Sequence, residues 1–136
     1  MIKSRFAIVT HILTLLASVE GEYLSSNIIA GSININPVLV RKELAELKKQ
    51  HLIESKEGKH GGVRLIKSAK NISLSEIFKL VKGENYTLGL AKNEPNPNCP
   101  IGKKINQNLT DLYKTIDNNI EETLKNTTLE TFKNQF

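Results

Sequence analysis

The 136-residue sequence predicts a mainly α-helical fold with one small β-hairpin and a long C-terminal helix. Two short helix patterns lie close together between residues 25 and 49, and a glycine-rich turn flanked by strand-like runs follows at once. After a stretch rich in Asn, Pro and Gly, apolar residues recur at helical spacing for about five turns. These observations predict a small helical domain with a hairpin, joined by a linker to one extended helix.

The first predicted helix runs from Ser4 to Val19, because apolar side chains form a wide face at helical spacing until Gly21 interrupts the pattern. His11 lies within this face. At such a position we expect a histidine that is hydrogen-bonded inside the domain rather than a metal ligand.

The second predicted helix is short. Ser25 or Ser26 can accept a hydrogen bond from a free backbone N–H and so cap residues 27–30. Gly31 then closes the helix, since glycine favours the left-handed conformation found at helix ends.

The third predicted helix, Asn36 to Lys49, has a well-marked start, because Asn36 is a favoured N-cap and Pro37 is tolerated at the first helical position. Apolar residues form a seam on one side, and the cations fall away from it. The seam is Val40, Leu44 and Leu47, and the cations are Arg41, Lys42, Lys48 and Lys49. The short interval to the second helix matches a helix-turn-helix.

A hairpin is predicted directly after this pair, with strand-like runs at 51–56 and 63–66 around the turn at 57–62. A helix-turn-helix followed by a basic hairpin is the element order of a winged helix. The sequence therefore predicts a winged helix-turn-helix with Asn36 to Lys49 as the recognition helix and Gly58 to Leu65 as the wing.

The chain continues with a capping box at Ser73 to Glu76, in which serine and glutamate satisfy each other's backbone donors, and the helix that it starts ends at Gly83. The predicted division is 1–83 for the winged helix-turn-helix domain, 84–100 for a linker or sensor loop, and 101–136 for a dimerisation helix with a short final helix.

The long helix has a narrow apolar seam that follows a proline-rich linker, so we expect it to leave the domain and pair with a second copy of the chain. The alternative is that it folds back on its own domain. The seam consists of Ile105, Leu109, Leu112, Ile116, Ile120 and Leu124.

Positive charge is concentrated in the N-terminal part of the chain. Residues 1–82 contain 13 Lys or Arg against 7 Asp or Glu, a net charge of +6, whereas residues 83–136 contain 6 against 7 and carry −1. A basic part beside a neutral one is typical of a nucleic-acid-binding domain joined to a part with another purpose. A basic surface kept for solubility is the alternative reading of the charge alone.

No stretch approaches the ~18 apolar residues of a membrane span, and the N-terminus lacks the cleavage pattern of a secretory signal. One cysteine cannot form an internal disulfide, which agrees with a reducing compartment. We therefore expect a cytoplasmic protein with no membrane partner.

Five segments together resemble the bacterial winged-helix regulators of the IscR, NsrR and CymR type. They are Ser4-Arg5-Phe6-Ala7 at the start, Val40 to Leu47 in the recognition region, Gly58-Lys59-His60-Gly61-Gly62 in the wing, Asn71 to Ile77 after it, and Cys99, which lies where the family carries a cysteine cluster. The resemblance covers nearly the whole chain. It implies a homodimeric regulator of transcription that binds double-stranded DNA.

Residues in two places are candidates for DNA contact. The start of the recognition helix has Asn36, Val38, Arg41 and Lys42, and the wing has Lys56, Lys59, His60 and Arg64. Arg41 stands where the family's base-reading residue lies, and an arginine can bond both acceptors of a guanine edge. The wing cations would meet phosphates. Several relatives have an arginine before the first wing glycine, whereas this chain has Glu57, which disfavours insertion there.

The resemblance also bears on Cys99. Cluster-bearing relatives use three cysteines and a further ligand, whereas this chain has one cysteine, with Gly102 at the further ligand position. An iron–sulfur cluster needs about four ligands, so we expect no cofactor and no metal. A helix start and Lys103 and Lys104 nearby would favour the thiolate of Cys99, so it is either a redox-sensing thiol or a plain structural cysteine.

The sequence thus predicts a homodimeric regulator that represses transcription by binding an inverted-repeat operator, with oxidation of Cys99 as one candidate for its signal. A protein-interaction module and a repressor that responds to a small ligand remain alternatives. An enzyme is not expected, because paired catalytic carboxylates, a phosphate loop and a Cys–His arrangement are all missing from the sequence.

Overall fold

The computed structural model describes residues 4–136, and the mainly α-helical fold with a two-stranded hairpin and a long C-terminal helix is confirmed there. The elements are α1 (Arg5–Ser18), α2 (Ser26–Ile33), α3 (Pro37–Lys49), β1 (Ile53–Lys56), β2 (Gly62–Leu65), a single 3-10 turn (Ala69–Asn71), α4 (Leu74–Lys82), α5 (Ile105–Leu124) and α6 (Leu129–Lys133).

One hydrophobic core joins the helices α1 to α4, the hairpin and α6. α1 supplies its centre with fully buried aliphatic side chains at helical spacing, as its wide apolar face predicts. The core residues without appreciable exposure include Ile12, Leu13, Leu16, Ile29, Val40, Leu47, Ile53, Ile72, Ile77 and Leu129.

The short helix α6 belongs to this core, which corrects its grouping with the dimerisation helix in residues 101–136. Leu129 is fully buried, and its N–H donates to the Ile72 carbonyl at 2.7 Å. The Leu74 N–H donates in turn to the Thr127 carbonyl at 2.9 Å. Leu129 and Phe132 pack against the hydrophobic core, so the end of the chain completes the N-terminal domain.

The end of α2 differs from the sequence prediction. Ser25 caps the helix as expected, since its hydroxyl accepts from the Ile28 N–H at 3.2 Å. Gly31, however, lies inside the helix, and Asn34 ends it in the left-handed conformation with φ of 63°. Asparagine is one of the few residues besides glycine that adopts this conformation readily, so the helix continues to Ile33.

The capping box of α4 forms only in part. The Ser73 hydroxyl accepts from the Glu76 N–H at 3.1 Å, as predicted. The Glu76 carboxylate does not return to Ser73 but accepts from Lys67 Nζ at 2.8 Å. The prediction that Glu76 also accepts from the Ser73 backbone N–H was therefore wrong, because the charged Lys67 side chain lies close and replaces that donor.

The long helix α5 has the predicted length but does not leave the domain entirely. It packs along α4, with Tyr113 and Asp117 buried. Ile120 and Leu124 pack against the hydrophobic core, so these two members of the predicted dimerisation seam already have partners within the chain. Leu112 points away from the core and is 54% exposed. The expectation that the whole helix leaves the domain is wrong for its C-terminal half.

Candidate nucleic-acid interface

α3 presents a polar face opposite a buried seam. Asn36 Oδ1 accepts from the Val38 N–H at 2.9 Å, and Pro37 begins the helix, as the sequence predicts. Val40, Leu44 and Leu47 are buried. At about 100° of rotation per residue, three groups follow around the exposed side. Val38, Lys42, Ala45 and Lys49 lie opposite the seam, Arg41 and Lys48 on one flank, and Leu39 and Glu46 on the other.

A partly buried ion pair joins α3 to the rest of the domain. Arg5 Nε and Nη2 donate to the two carboxylate oxygens of Glu43, both at 2.9 Å, and Arg5 Nη1 donates to the Val81 carbonyl at 3.3 Å. Glu43 is only 6% exposed. The hydrogen bond with Glu43 raises the pKa of Arg5 above its ordinary value. One guanidinium thus joins α1, α3 and α4.

Sequence reasoning did not identify this pair. The available signal was Glu43 itself, a carboxylate between the apolar positions Val40, Leu44 and Leu47, where a buried partner of opposite charge is required. Arg5 was noted only as part of the family resemblance.

The hairpin is held against the domain through the segment before α2. β1 and β2 pair antiparallel, with Ile53 opposite Leu65 and Lys56 opposite Gly62. Leu24 forms an isolated antiparallel bridge to β2: its N–H donates to the Val63 carbonyl at 2.9 Å, and its carbonyl accepts from the Val63 N–H at 2.8 Å. The strands of the predicted wing are therefore fixed to the domain, while residues 57–60 of its turn are exposed.

The cations of the hairpin differ in their surroundings. Arg64 Nε donates to Glu54 Oε1 at 2.5 Å, and its guanidinium lies 4.6 Å from the centre of the Tyr23 ring. The hydrogen bond with Glu54 raises the pKa of Arg64 above its ordinary value. Lys56, the last residue of β1, has its Nζ 5.6 Å from the centre of the same ring. Arg64 is thus engaged in an ion pair within the hairpin.

The turn of the hairpin carries the remaining predicted wing contacts. Lys59 and His60 are exposed there, together with Glu57.

The α3 candidates share the exposed start of the helix: Asn36, Val38, Arg41 and Lys42. Farther along the helix, Lys48 Nζ donates to Ser55 Oγ at 2.7 Å and so joins α3 to β1. The structure brings the α3 candidates together on one surface. Arg64 has a carboxylate partner that the sequence pattern did not indicate.

Cys99 lies in the segment between α4 and α5, outside this surface. The sequence placed it at the start of the long helix, but α5 begins at Ile105, and a separate turn precedes it, with the Lys103 N–H bonded to the Cys99 carbonyl at 2.9 Å. Backbone N–H groups of Gly102 and Ile101 lower the pKa of the Cys99 thiol below its ordinary value. The favoured thiolate thus results from turn amides rather than from the end of α5.

His11 is accounted for by an internal hydrogen bond. Its Nε2 lies 2.9 Å from Ser32 Oγ, so it joins α1 to α2, as expected for a structural histidine. Within residues 4–136, no three side chains of His, Cys, Asp or Glu form a group that could hold a metal ion. No helix in the same range is long and apolar enough to cross a membrane.

A helix-turn-helix with a projecting hairpin and a basic face on its second helix defines the chain as a DNA-binding protein of the winged-helix class. Residues 2–135 match the model of the Rrf2 family, described as an iron-dependent transcriptional regulator. The chain belongs to this family, whose members are regulators of transcription and not enzymes.

Individual relatives agree with this assignment. YwnA of Bacillus subtilis (strain 168), described as an HTH-type transcriptional regulator, is 37% identical over 134 residues, covering 98% of each chain. A solved structure described as a DNA binding protein is 34% identical, with a TM-score of 0.71 and coverage of 95% of this chain and 98% of the other. CymR of B. subtilis, at 20% identity, shares the fold with a TM-score of 0.71 over 98% of this chain and 95% of its own.

The iron named in the family description does not fit the residues of this chain. Cys99 is the one cysteine of the sequence, and a single thiolate cannot supply the roughly four ligands that an iron–sulfur cluster needs. At Gly102, the position where the resemblance implies a further ligand, a Cβ would lie 2.6 Å from the Asn96 carbonyl oxygen. The turn therefore has no room for a ligating side chain at that position.

Proposed function

We propose that the chain is a homodimeric repressor that binds an inverted-repeat operator through α3 and the hairpin and works in the cytoplasm. The observation that carries the proposal is the exposed face of α3, where Arg41 and Lys42 follow the cap at Asn36 and, among residues 4–136, no carboxylate forms an ion pair with either. Major-groove readout needs hydrogen-bonding side chains near the start of such a helix. Repression requires only that promoter DNA be occupied.

The dimer is supported by what α5 leaves uncovered. Four members of the apolar seam do not pack against the hydrophobic core. Leu112 is exposed, and the other three are partly buried: Ile105, Leu109 and Ile116. A second copy offers the same apolar row, and a two-fold pairing of identical surfaces closes without leaving a free end. Two copies present two recognition helices, which requires a two-fold symmetric operator.

Binding-site selection from random duplex DNA tests this proposal. The expected product is an inverted repeat whose half-site centres lie about one helical turn, or a multiple of it, apart. The logarithm of the affinity for that operator should fall linearly and steeply with the logarithm of the salt concentration, since phosphate contacts release counterions. An affinity independent of salt, or a selection that enriches no repeat, would contradict the proposal.

Arg41 is expected to be the main base-reading residue. Changing Arg41→Ala should weaken binding to the selected operator by about 10- to 100-fold and relax the preference at one base pair of each half-site, because a bidentate contact to guanine is lost. The measurement is a titration of operator and of single-base variants by fluorescence anisotropy. Lys114→Ala, which removes one exposed positive charge from α5, is the control and should leave the base preference unchanged.

We also propose that Cys99 is the oxidation-sensitive group. Its lowered pKa increases the thiolate fraction at neutral pH, and the thiolate attacks peroxide, so that the O–O bond breaks, an S–O bond forms and hydroxide leaves. The Cys99 thiolate of a second copy can then displace hydroxide from the sulfenic acid and form a disulfide.

A non-reducing gel after mild peroxide treatment checks the role of Cys99. The wild type should shift to a dimer band that dithiothreitol reverses, and its operator affinity should change, whereas Cys99→Ser should show neither effect. If the wild type keeps its mobility and its DNA affinity under oxidant, Cys99 is a structural residue and the switch is refuted.

A further inference from the structure

Val38 occupies the centre of the exposed face of α3, although it is apolar. It is 59% exposed and lies opposite the buried seam, on the same line as Lys42. Its N–H is already used by Asn36 Oδ1 at 2.9 Å, so the isopropyl group is what this position presents outward. On a face proposed to enter the major groove, this isopropyl group would meet the base edges directly.

We propose that Val38 reads the C5-methyl group of a thymine in the major groove and so determines specificity next to the base read by Arg41. This inference rests on the proposed operator binding. The thymine methyl is the one apolar group on the base edges of the major groove, and apolar side chains contact it directly. The other edge groups are hydrogen-bond donors and acceptors, which valine cannot satisfy.

The position of Val38 relative to Arg41 restricts where that thymine lies. Residues i and i+3 of a helix have Cβ atoms about 5–6 Å apart. Successive base pairs are separated by about 3.4 Å. The thymine should therefore lie one or two base pairs from the guanine that Arg41 contacts.

Two features make Val38 suited to this contact. A β-branched side chain in a helix has one strongly preferred rotamer, so little side-chain freedom is lost when the methyl group packs against it. Ala45 lies on the same line of the helix and has only a methyl group. Its small size lets the helix approach the base edges closely.

The other exposed apolar residue at the start of α3 is less suited. Leu39 is 50% exposed, but it lies about 100° around the helix from Val38, on the flank that carries Glu46. A carboxylate on that flank is repelled by phosphates. Leu39 thus serves as a matched control, with a similar exposure and a different direction.

Replacing thymine by uracil removes the C5-methyl group and nothing else, which gives a direct test. Each thymine of the selected operator is changed singly to uracil, and the affinities of wild type and Val38→Ala are measured. We expect one thymine per half-site at which uracil weakens wild-type binding by about fourfold, the value for one buried methyl group. With Val38→Ala the uracil penalty should be smaller than in the wild type, since the alanine methyl group reaches less far, whereas Leu39→Ala should retain the fourfold penalty.

The outcomes separate this inference from the proposed function. A selected operator that binds equally well with thymine and uracil at every position overturns the role of Val38 but leaves operator binding intact. A uracil penalty of undiminished size in Val38→Ala, or its disappearance in Leu39→Ala, assigns the methyl contact to another residue and also overturns the role of Val38. Failure to select any operator refutes the proposed function itself.

Discussion

Changing Arg5→Met should lower the free energy of unfolding by about 2–3 kcal/mol, since it leaves the Glu43 carboxylate buried without its partner. Glu43 receives two hydrogen bonds of 2.9 Å from Arg5, and its side chain is 8% exposed, so water cannot replace them fully. Because the Arg5 side chain is 37% exposed, we expect a smaller loss of stability than for a completely buried ion pair. Denaturant unfolding followed by circular dichroism measures it.

Two further variants identify the cause of this loss. Arg5→Lys should recover only part of the stability, because an ammonium cannot make the two parallel bonds of a guanidinium. The double variant Arg5→Met/Glu43→Leu should be more stable than Arg5→Met, since it removes the unpaired carboxylate. The single variant Glu43→Leu completes the cycle. If the losses of Arg5→Met and Glu43→Leu simply add in the double variant, Arg5 and Glu43 do not interact and the account of how α3 is held is wrong.

Changing Gly62→Ala should detach the hairpin from the domain. Gly62 has a φ of +145°, and a Cβ there would lie 2.2 Å from the Leu24 carbonyl oxygen, which accepts from the Val63 N–H. Backbone strain of this kind costs about 1–3 kcal/mol, and the two bonds between Leu24 and Val63 are lost in addition. We expect faster hydrogen exchange at both amides and weaker operator binding.

Gly58→Ala and Gly89→Ala are the controls for this variant. Gly58 has a positive φ of +103° but open space around its Cβ position, so it reports the strain alone. Gly89 has neither a positive φ nor a close neighbour, so its substitution should be neutral. Unchanged exchange at Leu24 and Val63 in Gly62→Ala would show that the close approach at Gly62 does not hold the hairpin.

The sequence was sufficient for most features that local chemistry determines. Asn36-Pro37 marks the start of α3 because the cap and the first helical position follow from the residues themselves. The glycine-rich turn likewise predicts the hairpin, and the apolar repeat predicts the length of α5. Gly31 misled the prediction of α2, because Asn34 can also adopt the left-handed conformation and lies at the actual end.

Features that depend on contacts distant in the chain were not predictable in this way. Arg5 and Glu43 are 38 residues apart, and nothing in the local pattern of either names the other. Arg64 was expected at phosphates because it is a wing cation, but Glu54 across the hairpin and the Tyr23 ring lie beside it. α6 was assigned to the dimerisation part from its position in the chain, whereas Leu129 completes the core of the first domain.

The most direct test of the central claim, that the α3 face binds operator DNA in the major groove, is a dimethyl sulfate footprint of the selected operator. This reagent methylates guanine N7, the atom that a bidentate Arg41 would cover. The account predicts protected guanines in two symmetry-related major-groove segments with wild type, and loss of that protection with Arg41→Ala. Guanines that stay fully reactive in a saturated wild-type complex would contradict it.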